Sequence, residues 1–416
     1  MRAYEWLSAR QARACTWQPN AGRIRKTVKP ALLIAALLVA LPYGRSSIYR
    51  FPAPTVFSGS QFYNPYADLR GAWPHATWQR ANFHAHSRSW NGLTNGRQSF
   101  DEVVRVYRGL GYSVPGVSNY HRISLLSDGS SIPIYEHGYN AGKRHQLAIG
   151  AHRVEWFDFP LGQFTSHKQL IIDLLARDAD LVAIAHPSGR RSYSADDMRQ
   201  LTGYQLLEVV NGPFPDDDPW DAALSSGHAV WGMANDDNHD TTDEARLGLS
   251  WNMVAAPTAA RTDVIEALRA GRFYSMTRLN DQPTADLTNI EAVEFKDGTL
   301  TITCTGAIPA FEFFGQNGVV RRTVRDTLTA SYTFGDADTY IRPVILSPRR
   351  VIYLNPILRW DGIHIPTPMA TVDQPATWVM RLSVVAAAAF VVVIRRRWRA
   401  PRRASASGTV ANRNPA

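Results

Sequence analysis

Apolar positions along residues 82–276 fall alternately into two periods. Short runs such as "LVAIAHP" (181–187), "YQLLEVVNG" (204–212) and "AVWGMAND" (229–236) are almost continuously apolar, as in strands buried on both faces. Between them lie stretches with apolar residues three and four apart. In "FDEVVRVYRGLGY", Phe100, Val103, Val104, Tyr107 and Leu110 share one helical face. "HKQLIIDLLARD" (167–178), "SADDMRQL" (194–201), "DPWDAALSSG" (218–227) and "TDVIEALRAGRF" (262–273) read as further helices, the second opening on Ser194 as an N-cap. "SVPGVSNY" (113–120), "QLAIGAHRVEW" (146–156) and "GLSWNMVAAP" (248–257) read as strands. This alternation predicts a parallel sheet covered by helices. Its length suits a (β/α) barrel over residues 81–280, whose site would lie at the C-terminal ends of the strands.

After about Gln282 the pattern shortens to strands separated by Gly, Asp and Asn. "AVEFKDGTLTITCTG" (292–306), "AFEFFGQNGVVRRTV" (310–324), "TYIRPVILS" (339–347) and "RVIYLNPILRWDG" (350–362) predict a small antiparallel, sandwich-like β module over 285–366. Residues 51–80 show no clear period and read as an irregular lead-in.

Two other apolar runs stand apart, Ala31–Tyr43 and Leu382–Ile394. Extended to 28–44 and 377–394, each reaches the lower limit for crossing a bilayer. Charge sharpens this picture. The 416 residues carry a formal +9, but residues 1–50 and 376–416 each hold +8, so the body between them holds −7. The basic character therefore belongs to the tails (1–27 and 395–416), and no nucleic-acid partner is expected. Positive charge flanking apolar segments places both termini in the cytoplasm and the body outside, in the periplasm or on the cell surface. The first segment is expected to stay as an anchor, a cleaved signal peptide being the alternative. Cys15 and Cys304 would then lie on opposite sides, so the body has no disulfide and must rely on its core.

The chemistry concentrates at the strand ends. "ANFHAHS" places His84 and His86 two apart on one strand, so both side chains point the same way. His186 ends "LVAIAHP", and Asp237 and His239 follow "AVWGMAND". Imidazole and carboxylate are good ligands for Zn, Mn or Fe, and these five residues from three strands converge on one mouth. Glu208 is expected to orient a ligand histidine by accepting its other N–H. Arg190 follows His186 and is a candidate for facing a phosphate. His121 is a candidate acid or base.

These motifs resemble those of the PHP family, the polymerase-and-histidinol-phosphatase metallohydrolases. The resemblance covers about residues 82–276 and rests on "FHAHS" with Gly92, "VSNYHRI", "LAIGAHRVEW", "AHPSG", "LLEVVNG", "NDDNH" and "ALRAGRFYS". It implies a distorted (β/α)7 TIM-like barrel, up to three divalent ions, and hydrolysis of phosphate esters by metal-activated water. It carries His84, His86, His186, Asp237 and His239 over as ligands. The departures are Asn91 for an Asp, Asn119–Tyr120 for an Asp-His pair, and Ala151 where a bridging Glu is expected. Asn119 is left with a supporting role near the site. With one confident carboxylate, the site is expected to hold one or two ions rather than three, with Glu155 and Asp158 as nearby substitutes. The expected function is a membrane-anchored, extracytoplasmic metal-dependent phosphoesterase acting on a small molecule. A non-catalytic binding module in the envelope and a metal-dependent amide or ester hydrolase are the alternatives.

Overall fold

The computed structural model describes residues 39–69, 72–279, 287–363, 365 and 367–399. The basic N-terminal tail, most of the first apolar segment, the last residues of the C-terminal tail and the Arg190 side chain lie outside the described parts. From Ser46 onward the chain makes one compact unit.

In chain order the unit opens with β1 (Tyr49–Arg50), β2 (Gln61–Tyr63) and β3 (Trp78–Asn82). Helix α1 (Phe100–Gly109) follows, fixed by a capping box in which Ser99 and Glu102 exchange hydrogen bonds, and it buries Val103, Val104 and Tyr107. Next come β4 (Val114–Pro115), β5 (Ile134–His137), β6 (Gln146–Ile149), α2 (Thr165–Leu175), β7 (Leu181–Ile184) and α3 (Ala195–Gln200). Then follow β8 (Leu206–Asn211), β9 (Phe214–Pro215), α4 (Asp218–Leu224), β10 (Trp231–Asn235), β11 (Ser250–Ala255), α5 (Arg261–Arg269) and β12 (Phe273–Arg278). The later half adds β13 (Asn289–Lys296), β14 (Thr299–Thr305), β15 (Ala310–Gly315), β16 (Val319–Val324), β17 (Thr329–Thr333), β18 (Tyr340–Leu346), β19 (Arg350–Leu354), β20 (Ile357–Trp360) and β21 (Thr371–Val372). The long helix α6 (Gln374–Arg399) closes the described chain.

The strands sort into mixed sheets, and the expected (β/α)7 TIM-like barrel is not what the chain builds. One sheet runs β10-β8-β7-β6-β5. Within it β10, β8 and β7 are parallel, but β6 is antiparallel to both β7 and β5. The larger sheet runs β16-β15-β18-β19-β12-β11-β3-β4, and β11 is antiparallel to both β3 and β12. A strand buried on both faces reads as apolar whichever way it runs, so periodicity could not assign its direction. This sheet crosses the expected boundary between barrel and β module, because β12 pairs with β19 from Tyr274↔Leu354 to Arg278↔Arg350. A separate sheet of β13, β14 and β17 covers it, with Leu300, Ile302 and Phe311 in the shared core.

The flanking segments also differ from expectation. Among the described residues one helix is long and apolar enough to cross a membrane, Gln374–Arg395 within α6. Of the first segment, only residues 39–44 are described, and they are helical.

Candidate metal centre

Three strand ends carry the site. The chain leaves β3 into His84 and His86, β7 into His186, and β10 into Asp237 and His239. The ends of β3 and β10 are knitted together by backbone hydrogen bonds. Asp237 donates its N–H to the His84 carbonyl at 2.9 Å, and His86 donates to the Asn238 carbonyl at 2.8 Å. A second junction, the bridge between Tyr120 and Glu136, brings the end of β5 to the same place.

The side chains form two groups that share one carboxylate. Glu136, fully buried, turns Oε2 toward His84 Nε2 at 3.3 Å and His86 Nε2 at 3.1 Å. Asp237 Oδ1 completes this group, 3.3 Å from His84 Nε2, 3.2 Å from His86 Nε2 and 3.3 Å from His239 Nε2. The other oxygen of Glu136, Oε1, faces His145 Nδ1 at 2.6 Å and His186 Nε2 at 3.3 Å. Neither Glu136 nor His145 was singled out by the sequence as a ligand. The acid lies fifteen residues before Ala151, where a bridging Glu was expected, in a stretch "IYEHG" with no clear period. A lone Glu preceded by Ile134 and Tyr135 was the available signal, since an acid is seldom buried without a partner.

Several donor atoms of the first group have no hydrogen-bond partner though fully buried: His84 Nε2, His86 Nε2, Glu136 Oε2 and Asp237 Oδ1. His84 donates Nδ1–H to Glu208 Oε1 at 2.8 Å, so Nε2 is the nitrogen turned toward Glu136 and Asp237. Acceptors set 3.1–3.3 Å apart repel one another unless positive charge lies between them. The donor set therefore fits a divalent cation.

Electrostatics agree. Burial by itself pushes the His84 imidazole down, but Asp237, Glu208 and Glu136 together raise it well above its ordinary value. Burial pushes Glu136 and Asp237 up, yet the surrounding imidazoles hold both carboxyls well below the usual range. The centre is thus arranged to keep its acids ionised and to welcome a cation. Two residues in it also adopt left-handed backbone, His186 at φ +30° and Asp237 at φ +47°. Such conformations cost roughly 1–3 kcal/mol each for non-glycine residues and persist where the surroundings over-determine them.

Supporting residues fix the geometry. Glu208 also accepts from Asn235 Nδ2 at 2.8 Å, from the His186 N–H at 2.8 Å and from Asn211 Nδ2 at 3.1 Å. Asn119 accepts the Ser87 N–H at 2.9 Å and donates to Ser87 Oγ at 2.8 Å, holding the residue after His86. Tyr120 stacks on His86 with centroids 4.7 Å apart, and His239 stacks on its ring at 4.3 Å.

Other candidates lie elsewhere. Both ring nitrogens of His121 engage the backbone: Nδ1 donates to the Glu155 carbonyl at 3.0 Å, and Nε2 accepts the Gly138 N–H at 3.0 Å. Burial pushes its imidazole down to about 3, which suits a neutral structural ring and leaves no nitrogen for acid–base exchange. The carboxylate of Glu155 caps the N–H groups of Trp156 and Phe157, and that of Asp158 binds Tyr139, Asn140 and Gln163, so neither substitutes at the centre.

A cleft of about 400 Å³ opens beside His186 and Glu208, lined also by Ser188, Asn211, Phe214 and Asp216. Asp216 is pushed up to about 6 by burial and by its neighbours Asp218 and Asp217.

No family model and no curated protein matches the chain. Among solved structures it is similar to a two-domain protein from Bacteroides vulgatus that contains a predicted PHP-like metal-dependent phosphoesterase. The identity is 12%, the TM-score 0.38, and the match covers 78% of this chain and 98% of that one. So distant a likeness leaves the functional reading to the side chains themselves.

Proposed function

We propose that the protein is a metal-dependent hydrolase of the polymerase-and-histidinol-phosphatase type that cleaves a phosphate ester. The observation that carries this reading is Glu136, whose two oxygens face two separate groups of imidazole and carboxylate donors. His84, His86, Asp237 and His239 would hold one ion and His145 and His186 a second, with Glu136 common to both. Bound Zn, Mn or Fe would supply Lewis acidity and a nucleophilic water at neutral pH.

The chain's own residues do the rest. Glu208 fixes the tautomer of His84, and Asn119 and Tyr120 hold the segment and ring of His86. The cleft beside His186 admits the ester, with Ser188 and Asn211 as neutral hydrogen-bonding groups. Arg190, four residues after His186, is assigned the phosphate-facing role on its sequence position. The anchor is α6, with "RRRWR" (395–399) on the cytoplasmic side and the body outside.

The test is metal content by inductively coupled plasma mass spectrometry, with hydrolysis of 4-nitrophenyl phosphate and its bis-ester. The full chain is expected to hold up to two equivalents and to turn over at least one ester, both lost in His84→Ala/His86→Ala. Metal bound with no turnover of either ester would sink the phosphoesterase reading. For topology, alkaline phosphatase fused after Ala416 should be inactive, and an active fusion would reverse the orientation.

A further inference from the structure

The root of α6 lies at the end of the molecule that carries the metal centre. A strap leads to it. The Ala370 N–H donates to Thr202 Oγ1 at 2.9 Å, at the N-terminal end of β8 and so opposite the centre. The strap then runs as β21 alongside β1, pairing Thr371 with Arg50 and Val372 with Tyr49. Tyr49 lies along α2, its hydroxyl donating to Asp173 at 2.6 Å and its N–H to Ser166 Oγ at 3.3 Å. Ser166 stands in the first turn of α2, which is tied to α3 just past the His186 loop by Thr165 Oγ1 donating to Asp197 at 2.8 Å. Beyond β1 the chain keeps company with α6 for two turns. Ile48 N–H donates to Thr377 Oγ1 at 3.0 Å, and Arg381 donates to the Ser46 carbonyl at 3.1 Å. Helix α6 therefore continues the strap's direction, away from the molecule at the end bearing the centre. Arg381 is eight residues past Asp373, ~12 Å along a helix, and an apolar run broken only by Ser383 starts at Leu382.

That same end exposes several large apolar side chains. Trp90 and Trp156 meet edge to face at 5.6 Å, and Trp90 donates its indole N–H to the Tyr120 carbonyl, beside His86. Trp156 stacks on His121 at 5.3 Å, and Tyr139 lies against the same ring at 5.5 Å. Beneath the surface Phe157, the next residue in the chain after Trp156, meets the buried rings of Phe159 and His167 in turn, and these lead to Phe164, two residues before Ser166. Phe164 is 79% exposed, Leu93 91%, Trp156 56%, Leu161 54% and Tyr139 52%. Single exposed apolar residues need no explanation, but five large ones gathered at one end of the molecule are a liability unless something covers them. Tryptophan and tyrosine with a polar atom and an apolar body suit the headgroup boundary of a bilayer.

We propose that this face lies on the lipid surface in which α6 is anchored, so that the mouth of the metal centre opens toward the bilayer rather than toward bulk solvent. The occupant is the headgroup–acyl boundary, contacted by Leu93, Trp156, Leu161 and Phe164.

The test uses the full chain carrying Cys15→Ser and Cys304→Ser, reconstituted in vesicles of three parts phosphatidylcholine to one part phosphatidylglycerol. Single cysteines replace Leu93, Phe164, Val385 in α6, or Thr258 at the opposite end, and carry an environment-sensitive fluorophore. A spin label at the top of the acyl chain is expected to quench the probes at 93 and 164 at least twofold, with little effect at 258. Quenching at 385 by a label deep in the chain reports insertion of α6. Probes at 93 and 164 no more quenched than that at 258 would overturn the proposal, as would an unquenched probe at 385. None of these readings depends on metal or turnover, so the proposal and the hydrolase reading can fail separately.

Discussion

The buried arginine that pins the β-rich half to α4 gives a prediction whose size follows from the structure. Arg342, on β18, is 1% exposed. Its Nε donates to Asp221 Oδ1 at 2.7 Å, its Nη2 to the other oxygen of Asp221, and its Nη1 lies 2.9 Å from Asp217. The Tyr340 hydroxyl donates to Asp221 at 2.9 Å, and the rings of Phe314 and Trp220 lie 4.3 and 5.1 Å from the guanidinium carbon. Burial opposes the charge on Arg342, but the bonds and charges of Asp221 and Asp217 outweigh it and raise the group further. Asp221→Ala would strand the guanidinium with Asp217 alone. Breaking one side of a buried pair costs ~3–5 kcal/mol, and the surviving Asp217 contact places this case near ~3 kcal/mol. For a body of about 330 residues, whose unfolding entropy is ~0.7 kcal/mol/K, that corresponds to a fall in Tm of roughly 4 °C. The assay is thermal and urea unfolding of the detergent-solubilised full chain, followed by tryptophan fluorescence. The double variant Asp221→Leu/Arg342→Met should recover much of the loss, because an apolar pair needs no charge partner. Asp221→Ala within about 0.5 kcal/mol of the parent, the scatter of ordinary surface changes, would refute the reasoning.

Three further outcomes are expected. Glu136→Gln should lower metal content by at least one equivalent with unchanged circular dichroism, because it removes the carboxylate that faces both donor groups; full metal content in that variant would show that Glu136 is not shared. Glu208→Gln should weaken metal binding about 10–100-fold, the usual effect of losing a partner that orients a ligand histidine, as read by competition with a chelator. His228 is pushed down to about 4 by burial, whereas the unfolded chain takes up that proton near 6.5. Its contribution to stability is therefore present above pH 6.5 and is lost as pH falls from 6.5 to 4, by up to roughly 3 kcal/mol. His228→Gln should show a flatter stability profile across that window, and parallel profiles would count against the assignment.

Much of the centre could be named as a candidate from the chain alone. His186 follows directly on an apolar run, His84 and His86 sit in "ANFHAHS", and Asp237 and His239 come within five residues of the last apolar residue of "AVWGMAND"; a strand end is where such a short polar motif reaches a mouth. Glu208 sits inside an otherwise apolar strand, which marks an acid that needs a buried partner, and it lies 2.8 Å from His84 Nδ1. Tertiary structure alone decided the rest. Glu136 and His145 flank an irregular loop with no period to place them, and they reach the centre through the Tyr120–Glu136 bridge and the pairing of β5 with β6. Strand direction was equally hidden, so a reading of parallel staves missed β6 and β11, which run against their neighbours. The physical reason is the same for both. Local pattern encodes which side chains are buried, whereas which strands pair, and in which direction, depends on contacts between residues far apart along the chain.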